Sequence, residues 1–312
     1  MSWRGKRVLI TGATGFIGQY LSRKLKALEA AVYGCTSPTE ACDGIAPSDE
    51  YAPHLPAFDI RDARTTRAVL DDVRPDVVIH LAAVGVTNPG VDPIQALTVN
   101  AGGVINLLEA VKGKDVERVV LVGTSYEYGL SGRARKLDPI NAYAASKVAA
   151  WAFGRMYWRA CELPVVFVRP FQVYGPGQPR RTLIPAAIRA ATSGENFPMT
   201  PGDQERDFIF AEDVAEGMIA AAERAGIEGE SLDLGRGVGV TARRVVEMIW
   251  DLTDAGGKIQ PGARPYRTGA PVHLVADADR TAELTGWRAT TTLEEGLRTT
   301  IAQSRSKKRH SV

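Results

Sequence analysis

Tyr143 and Lys147 stand four residues apart in the run Tyr143-Ala144-Ala145-Ser146-Lys147. On a helix that spacing puts both side chains on one face. An ammonium beside a phenol lowers the phenol pKa from its reference of about 10. Tyr143 could then exchange a proton with a hydroxyl or carbonyl near neutral pH. The spacing is cheap, because Tyr20 and Lys24 repeat it on the first predicted helix. That second pair reads as an ordinary helix-surface pair. Tyr143 and Lys147 differ in having a hydroxyl-rich strand end, Thr124-Ser125, some way upstream.

Gly12, Gly15 and Gly18 suggest what the chemistry would act with. They fall in Val8-Leu9-Ile10-Thr11-Gly12-Ala13-Thr14-Gly15-Phe16-Ile17-Gly18. Val8 to Ile10 read as a buried strand, and Gln19 to Leu25 have helical apolar spacing. A strand that turns through glycines into a helix aims free N–H groups and a partial positive charge at one point. That suits a pyrophosphate. With 31 glycines in the chain, the spacing alone is weak, and the flanking strand and helix carry the reading.

These groups need a frame. Candidate strands are Arg7–Thr11, Ala31–Cys35, Val77–Leu81, Val119–Gly123 and Val165–Arg169. Candidate helices between them are Phe16–Leu28, Ala63–Asp72, Asp92–Val111 and Tyr143–Cys161. The alternation predicts an α/β fold, a Rossmann-type doubly wound parallel sheet. Tyr174-Gly175-Pro176-Gly177-Gln178-Pro179 breaks the pattern. The expected division is a dinucleotide-binding domain over 1–170, with a return segment near 207–235. A smaller mixed C-terminal substrate domain would occupy most of 171–312. Ligands of such sheets bind beyond the carboxyl ends of the strands, so chemistry belongs just after Gly123 and Arg169.

Composition narrows the class. Hydrophobic content of 45% and charged content of 24% are ordinary for a soluble globular chain. A net charge of +2 gives no reason to expect nucleic acid. No apolar run stands out as membrane-spanning, and Met1 to Lys6 lack a signal-peptide core, so the expectation is a cytoplasmic protein with no membrane partner. The three cysteines (Cys35, Cys42, Cys161) lack paired spacing and read as free thiols. The four histidines are scattered, and no metal site is expected.

The chain resembles an extended short-chain dehydrogenase/reductase of the NAD-dependent epimerase/dehydratase family, which acts largely on nucleotide sugars. Besides the glycine run and Tyr143–Lys147, the resemblance rests on Asp59-Ile60-Arg61-Asp62, His80-Leu81-Ala82-Ala83 and Thr124-Ser125-Tyr126-Glu127-Tyr128-Gly129. It continues in Arg169-Pro170-Phe171-Gln172-Val173-Tyr174-Gly175-Pro176-Gly177 and in Arg206-Asp207-Phe208-Ile209-Phe210-Ala211-Glu212-Asp213-Val214. The resemblance implies roles for these residues. Gly12, Gly15 and Gly18, with Thr14, Phe16 and Ile17, would cradle the pyrophosphate of NADP or NAD. Asp59 would accept from the adenine amino group beside Ile60, unless it is a turn carboxylate, and Asp62 looks like a helix cap. Leu81, Ala82 and Ala83 would line the cofactor. Asn100 would hold backbone or water near the catalytic group. Thr124 would bond the reacting oxygen, Tyr143 would be acid/base, and Lys147 would tune it and hold ribose hydroxyls. Pro170 to Val173 would approach the nicotinamide. Ser125, Tyr126 and Gln172 would face substrate. Arg206 would contact its diphosphate, with Arg180 and Arg181 as looser candidates. Arg206 could instead form a surface ion pair with Glu205 or Asp207.

Three departures qualify the resemblance. The second strand ends Gly34-Cys35-Thr36-Ser37, with no carboxylate for a ribose 2′-hydroxyl, which favours NADP. Ser125 and Tyr126 replace the acids of 4,6-dehydratases, which argues against dehydration. Glu127 stands where epimerases have an apolar residue, and Glu-Tyr-Gly resembles some 4-keto-6-deoxysugar reductases. The expected activity is therefore hydride transfer at a sugar carbon, C4 above all. A 4-ketoreductase is favoured over a 4-epimerase, and a non-catalytic dinucleotide sensor is the alternative from another class. Trp151, Phe153, Met156 and Trp158 make the helix after Tyr143 apolar on more than one face. The expectation is a homodimer packed through this helix and Asp92–Val111.

Overall fold

The computed structural model describes residues 2–35, 58–88, 90–131, 136–266 and 272–309. The first half lays down five strands: β1 (Arg7–Thr11), β2 (Ala31–Cys35), β3 (Val77–His80), β4 (Arg118–Val122) and β5 (Val165–Pro170). All but β2 are rich in branched apolar residues, and β3, β4 and β5 are buried along their whole length. Strands covered on both faces read in this way.

Beyond β5 come short strands: β6 (Gln172–Tyr174), β7 (Phe197–Pro198), β8 (Glu205–Phe210), β9 (Ser231–Leu234), β10 (Gly239–Thr241), β11 (Ile259–Gln260) and β12 (His273–Leu274). One of them, β9, returns to pair with β5 and completes a parallel sheet of order β2-β1-β3-β4-β5-β9. Consecutive crossovers reverse direction at β1, so the switch point of the sheet lies at the glycine loop.

The helices are α1 (Phe16–Ala27), α2 (Ala63–Val73), α3 (Pro93–Ala96), α4 (Gly103–Val111), α5 (Ala142–Cys161), α6 (Leu183–Ser193), α7 (Ala211–Glu223), α8 (Ala242–Thr253), α9 (Ala278–Thr285) and α10 (Leu293–Arg309). One face of the sheet packs on α1 and α7, the other on α2, α4 and α5. A separate core joins β8 with α6, α8 and α10.

The stretch expected as one helix from Asp92 is a helix with a widened turn. Asp92 caps it by accepting from the Gln95 N–H, with Pro93 in the first turn. Leu97–Gly102 between α3 and α4 is a π-helical segment, a form that often marks function. By length and composition, Pro93–Val111 could cross a membrane, which corrects the sequence reading; half of that window is buried inside the fold. The Tyr20–Lys24 reading is also corrected. Tyr20 is buried and donates to the Pro176 carbonyl at 2.7 Å, while Lys24 pairs with Glu216 and Glu212 of α7.

Candidate active site

The glycine loop has the geometry that its spacing implies. Gly12 has φ +73°, and a Cβ there would lie 2.9 Å from the Ala82 nitrogen. At Gly18 a Cβ would meet the Gly12 carbonyl at 2.3 Å, so α1 can sit this close to the loop only with glycine. Gly15 is exposed and precedes α1; no side chain caps that helix, and no acid lies in its first turn. Its amide end stays open to an anion. The N–H groups of Gly12 and Ala13 both donate to the Cys35 carbonyl, tying the loop to the end of β2. Thr14 is buried, and its carbonyl accepts from Gln19, while Phe16 and Ile17 are half-buried on α1. Leu81, Ala82 and Ala83 follow β3 and remain half-buried.

The Ile60 side chain is buried against Gly103 of α4, in the core. Asp59 serves its own turn. Its carboxylate accepts from the Arg61 backbone and guanidinium, which hold it below the usual carboxylate range. Asp62 caps α2 as expected, accepting from Arg64 and Thr65. Thr36 and Ser37 lie outside the described residues.

Tyr143 sits in the first turn of α5, whose N-terminus is capped by Asn141 accepting from Ala144 at 2.9 Å. The tyrosine is 7% exposed, and its hydroxyl hydrogen-bonds with Thr124 beyond β4. Burial, the carboxylate of Glu127 and nearby Tyr126 push the phenol above its ordinary range, against the opposing effect of Thr124. This overturns the expected depression by Lys147. The lysine points elsewhere, donating to the Val122 carbonyl at 2.7 Å. Burial pulls its ammonium down to about 8, opposed by Glu127.

Asn100, in the π-helical segment, is fully buried and has its amide occupied. It accepts from the Val84 N–H at 2.9 Å and donates to the Val84 carbonyl at 3.0 Å and to Ser146 Oγ at 2.8 Å. Ser146 in turn donates to the Tyr143 carbonyl. Asn100 therefore holds backbone beside the catalytic group, tying the loop after β3 to the catalytic helix.

Gln172 and Val173 lie on β6, which pairs in parallel with β8, and Pro170 ends β5. Arg206 of β8 is 9% exposed, donates to the Glu205 carbonyl and hydrogen-bonds Tyr126. Of its acidic neighbours, Glu205 pairs with His273 and Asp207 accepts from backbone N–H groups of Arg236, Gly237 and Ala276. Ser125 is buried beside Thr124. Arg180 and Arg181 are exposed, and Arg181 donates to Thr87. Among the described residues no cluster could hold a metal.

Sequence reasoning missed a charged group behind this site. Glu127 is 1% exposed and pairs with Arg169 at 2.7 Å. The Arg169 guanidinium lies 5.3 Å from the Tyr128 ring centre, and Tyr128 donates to Asp233 at 2.6 Å. No local pattern announces these partners, which are 42 and 105 residues apart.

The sequence pattern of the NAD dependent epimerase/dehydratase family matches residues 8–235. The chain is 30% identical to a UDP-glucose 4-epimerase of Mycolicibacterium smegmatis, over 96% of this chain and 99% of that one. Among solved structures it resembles the Thermus thermophilus UDP-glucose 4-epimerase in complex with NAD (TM-score 0.82, 27% identity, 96% and 99% of the two chains). It also resembles a UDP-N-acetylglucosamine 4-epimerase from Methanobrevibacter ruminantium in complex with UDP-N-acetylmuramic acid (TM-score 0.87, 25% identity, 97% and 99%). The chain belongs to the NAD-dependent epimerase/dehydratase family.

Proposed function

We propose that this family member catalyses hydride transfer at C4 of a nucleotide-activated hexose, with 4-epimerisation as the outcome. The observation that carries hydride transfer is the Tyr143–Thr124 hydrogen bond beyond β4, in a sheet whose switch point holds an open, uncapped glycine loop, and the likeness to 4-epimerases favours epimerisation as the outcome. The loop fits a pyridine dinucleotide, since its turn packs on Ala82 and on α1 too closely for a Cβ at Gly12 or Gly18 and the end of α1 carries no acid. Such a cofactor, when bound, supplies the hydride acceptor and donor.

This chain's residues would do the rest. Gly12, Gly15 and Gly18, with Thr14, Phe16 and Ile17, face the pyrophosphate. Leu81 to Ala83 and Pro170 to Val173 flank the cofactor. Thr124 and Tyr143 share the sugar oxygen, and Tyr143 gives or takes its proton. Ser125, Tyr126, Gln172 and Arg206 form the substrate side, Arg206 being placed for a diphosphate. Arg180 and Arg181 border it from the loop before α6. The hydrogen-bonded pair of Thr124 and Tyr143 argues against a merely sensing protein.

Net reduction of a ketosugar is the second reading. It is favoured by a Tyr143 that keeps its proton and by the carboxylate-free end of β2. Cofactor fate separates the two. Interconversion of C4-epimeric nucleotide sugars with no net change at the nicotinamide absorbance supports epimerisation. Stoichiometric NAD(P)H oxidation with a 4-keto-6-deoxy nucleotide sugar would replace it with reduction.

A homodimer belongs to the same proposal. Phe153 and Met156 of α5 are exposed in the single chain, as are Ile94 and Leu97 of the neighbouring helix. Trp151 and Trp158 instead pack inward, within the core that joins α5 to β4 and β5. Light scattering at micromolar concentration should give twice the chain mass, and a monomer would remove the dimer from the proposal.

A further inference from the structure

We propose that Glu127 is a positioning residue whose buried carboxylate, clamped between the Thr124 N–H and the Arg169 guanidinium, is the counter-charge to the Lys147 ammonium across the small cavity that they share. This rests on the hydride-transfer reading for its meaning, but the contacts that carry it do not.

The geometry is closed on every side. The 3₁₀ turn Ser125–Ser131 folds Glu127 back under the end of β4. Its Oε1 accepts from the Thr124 N–H at 2.9 Å, and its Oε2 accepts from Arg169 Nε at 2.7 Å. A Cβ on Gly123 would stand 2.2 Å from Oε1, so the space is kept for this carboxylate. Glu127, Lys147, His80, Gly123 and Arg169 line one small cavity of about 10 Å³, room for about one water. The Nε2 of His80, which is 1% exposed, has no hydrogen-bond partner there, and its Nδ1 meets Thr11 Oγ1 at 2.7 Å.

The charged and titratable groups around Lys147 are few. Glu127 comes from the turn after β4, His80 from β3, Arg169 from β5 and Tyr143 from the lysine's own helix. Burial pulls His80 down to about 3, and the Lys147 charge adds to that, so the imidazole is neutral at working pH. Glu127 alone favours the Lys147 ammonium against burial. The same carboxylate disfavours phenolate at Tyr143. Its removal would release protons from both groups at lower pH. Arg169 opposes this by neutralising Glu127, so loss of Arg169 should act with the opposite sign.

The test reads Lys147 directly, in the full-length cofactor-free protein. Lysines are labelled at Cε, and the Lys147 resonance is assigned by its loss in Lys147→Arg. Its titration is then followed by NMR in wild type, Glu127→Gln and Arg169→Gln. The expected result is a downward shift of about one pH unit in Glu127→Gln and an upward shift in Arg169→Gln. If Glu127→Gln fails to fold, Arg169→Gln still decides by the sign of its shift. Shifts of the same sign, or none in a folded variant, would overturn the proposal. A second arm follows the pH profile of kcat/KM with a C4-epimeric pair of nucleotide sugars, whose alkaline limb should fall at lower pH in Glu127→Gln. Shifted Lys147 titration in a protein that turns over no nucleotide sugar would retain the coupling and reject the hydride-transfer reading.

Discussion

The two ends of the site are built from opposite materials. At the glycine loop, recognition is left to backbone: three glycines, an uncapped helix end and no acid. Behind Tyr143 the work is done by side-chain charges, with Glu127, Arg169, Asp233 and Lys147 all buried within a few residues of one another in space. An exposed helix end can leave its amides to water or an anion, so the turn itself can be specified by a few neighbouring residues. Buried charges are costly unless paired, so the catalytic end must draw counter-charges from several strands at once. The difference teaches where each kind of change should be felt: at the loop as shape, at the catalytic helix as charge.

The sharpest break in the comparison is Tyr143→Phe. It keeps the ring and removes the exchangeable proton. Positioned acids and bases contribute roughly 10²–10⁴-fold, so kcat should fall by that order while dinucleotide binding, read by fluorescence titration, stays near wild type. Unchanged turnover would place the proton elsewhere.

The counterpart at the loop is Gly18→Val. A Cβ there already stands 2.3 Å from the Gly12 carbonyl, and the Gly12 and Ala13 backbone would have to yield. Dinucleotide affinity should fall about a hundredfold or more, about 3 kcal/mol, in a protein whose far-UV circular dichroism is retained. Tight binding by the folded variant would mean that the close approach is not needed.

The contrast also explains what the sequence could and could not reveal. Gly12, Gly15 and Gly18 act within seven residues, so their spacing is their geometry. The strands β1 and β2 fall on the residues expected, and in β1 the reason is that a strand covered on both faces is a continuous apolar run, here Val8 to Ile10. The π-helical turn at Leu97–Gly102 was not legible, since its apolar spacing passes for ordinary helix. Nor was the fate of Tyr143. The neighbour on its own helix suggested a lowered pKa, whereas burial and Glu127 raise it. Asn100 carries the right residue type, but only the fold shows its amide spent on Val84 and Ser146. Asp59 and Arg61 stand two residues apart in sequence, and only the fold shows them paired across their own turn.

A smaller effect belongs to Lys147. Burial holds its pKa near 8 against an ordinary 10.5, so between those values the unfolded chain binds more protons than the folded one. Stability should therefore rise with pH across that window, and the contribution is lost as pH falls toward 8. Urea unfolding of wild type at pH 7.5 and pH 10, set against Lys147→Met at the same two pH values, isolates the term. The wild type should gain about 2 kcal/mol relative to the variant over that range. A constant gap would show that the lysine is solvated, and that the charge on this side of the comparison is weaker than its burial implies.

The smallest expected effect tests whether charge can be brought to the backbone end. The Cys35 carbonyl accepts from both Gly12 and Ala13, so the end of β2 is fixed directly against the glycine loop. Thr36 is the next residue, outside the described stretch, and the run Gly34-Cys35-Thr36-Ser37 offers no carboxylate. In a dinucleotide fold this position faces the adenosine ribose, where an acid accepts from the 2′-hydroxyl and repels a 2′-phosphate. Without one, NADP(H) should bind within tenfold of NAD(H) or better. Thr36→Asp should move the ratio of dissociation constants toward NAD(H) by about tenfold, about 1.4 kcal/mol. Both numbers come from one titration series with the two nucleotides. Wild type that already rejects NADP(H) by about a hundredfold would mean that shape excludes the phosphate there, as shape governs the rest of the loop. An unchanged ratio in the variant would say the same, and the division between a backbone end and a charged end would be stricter than we argue.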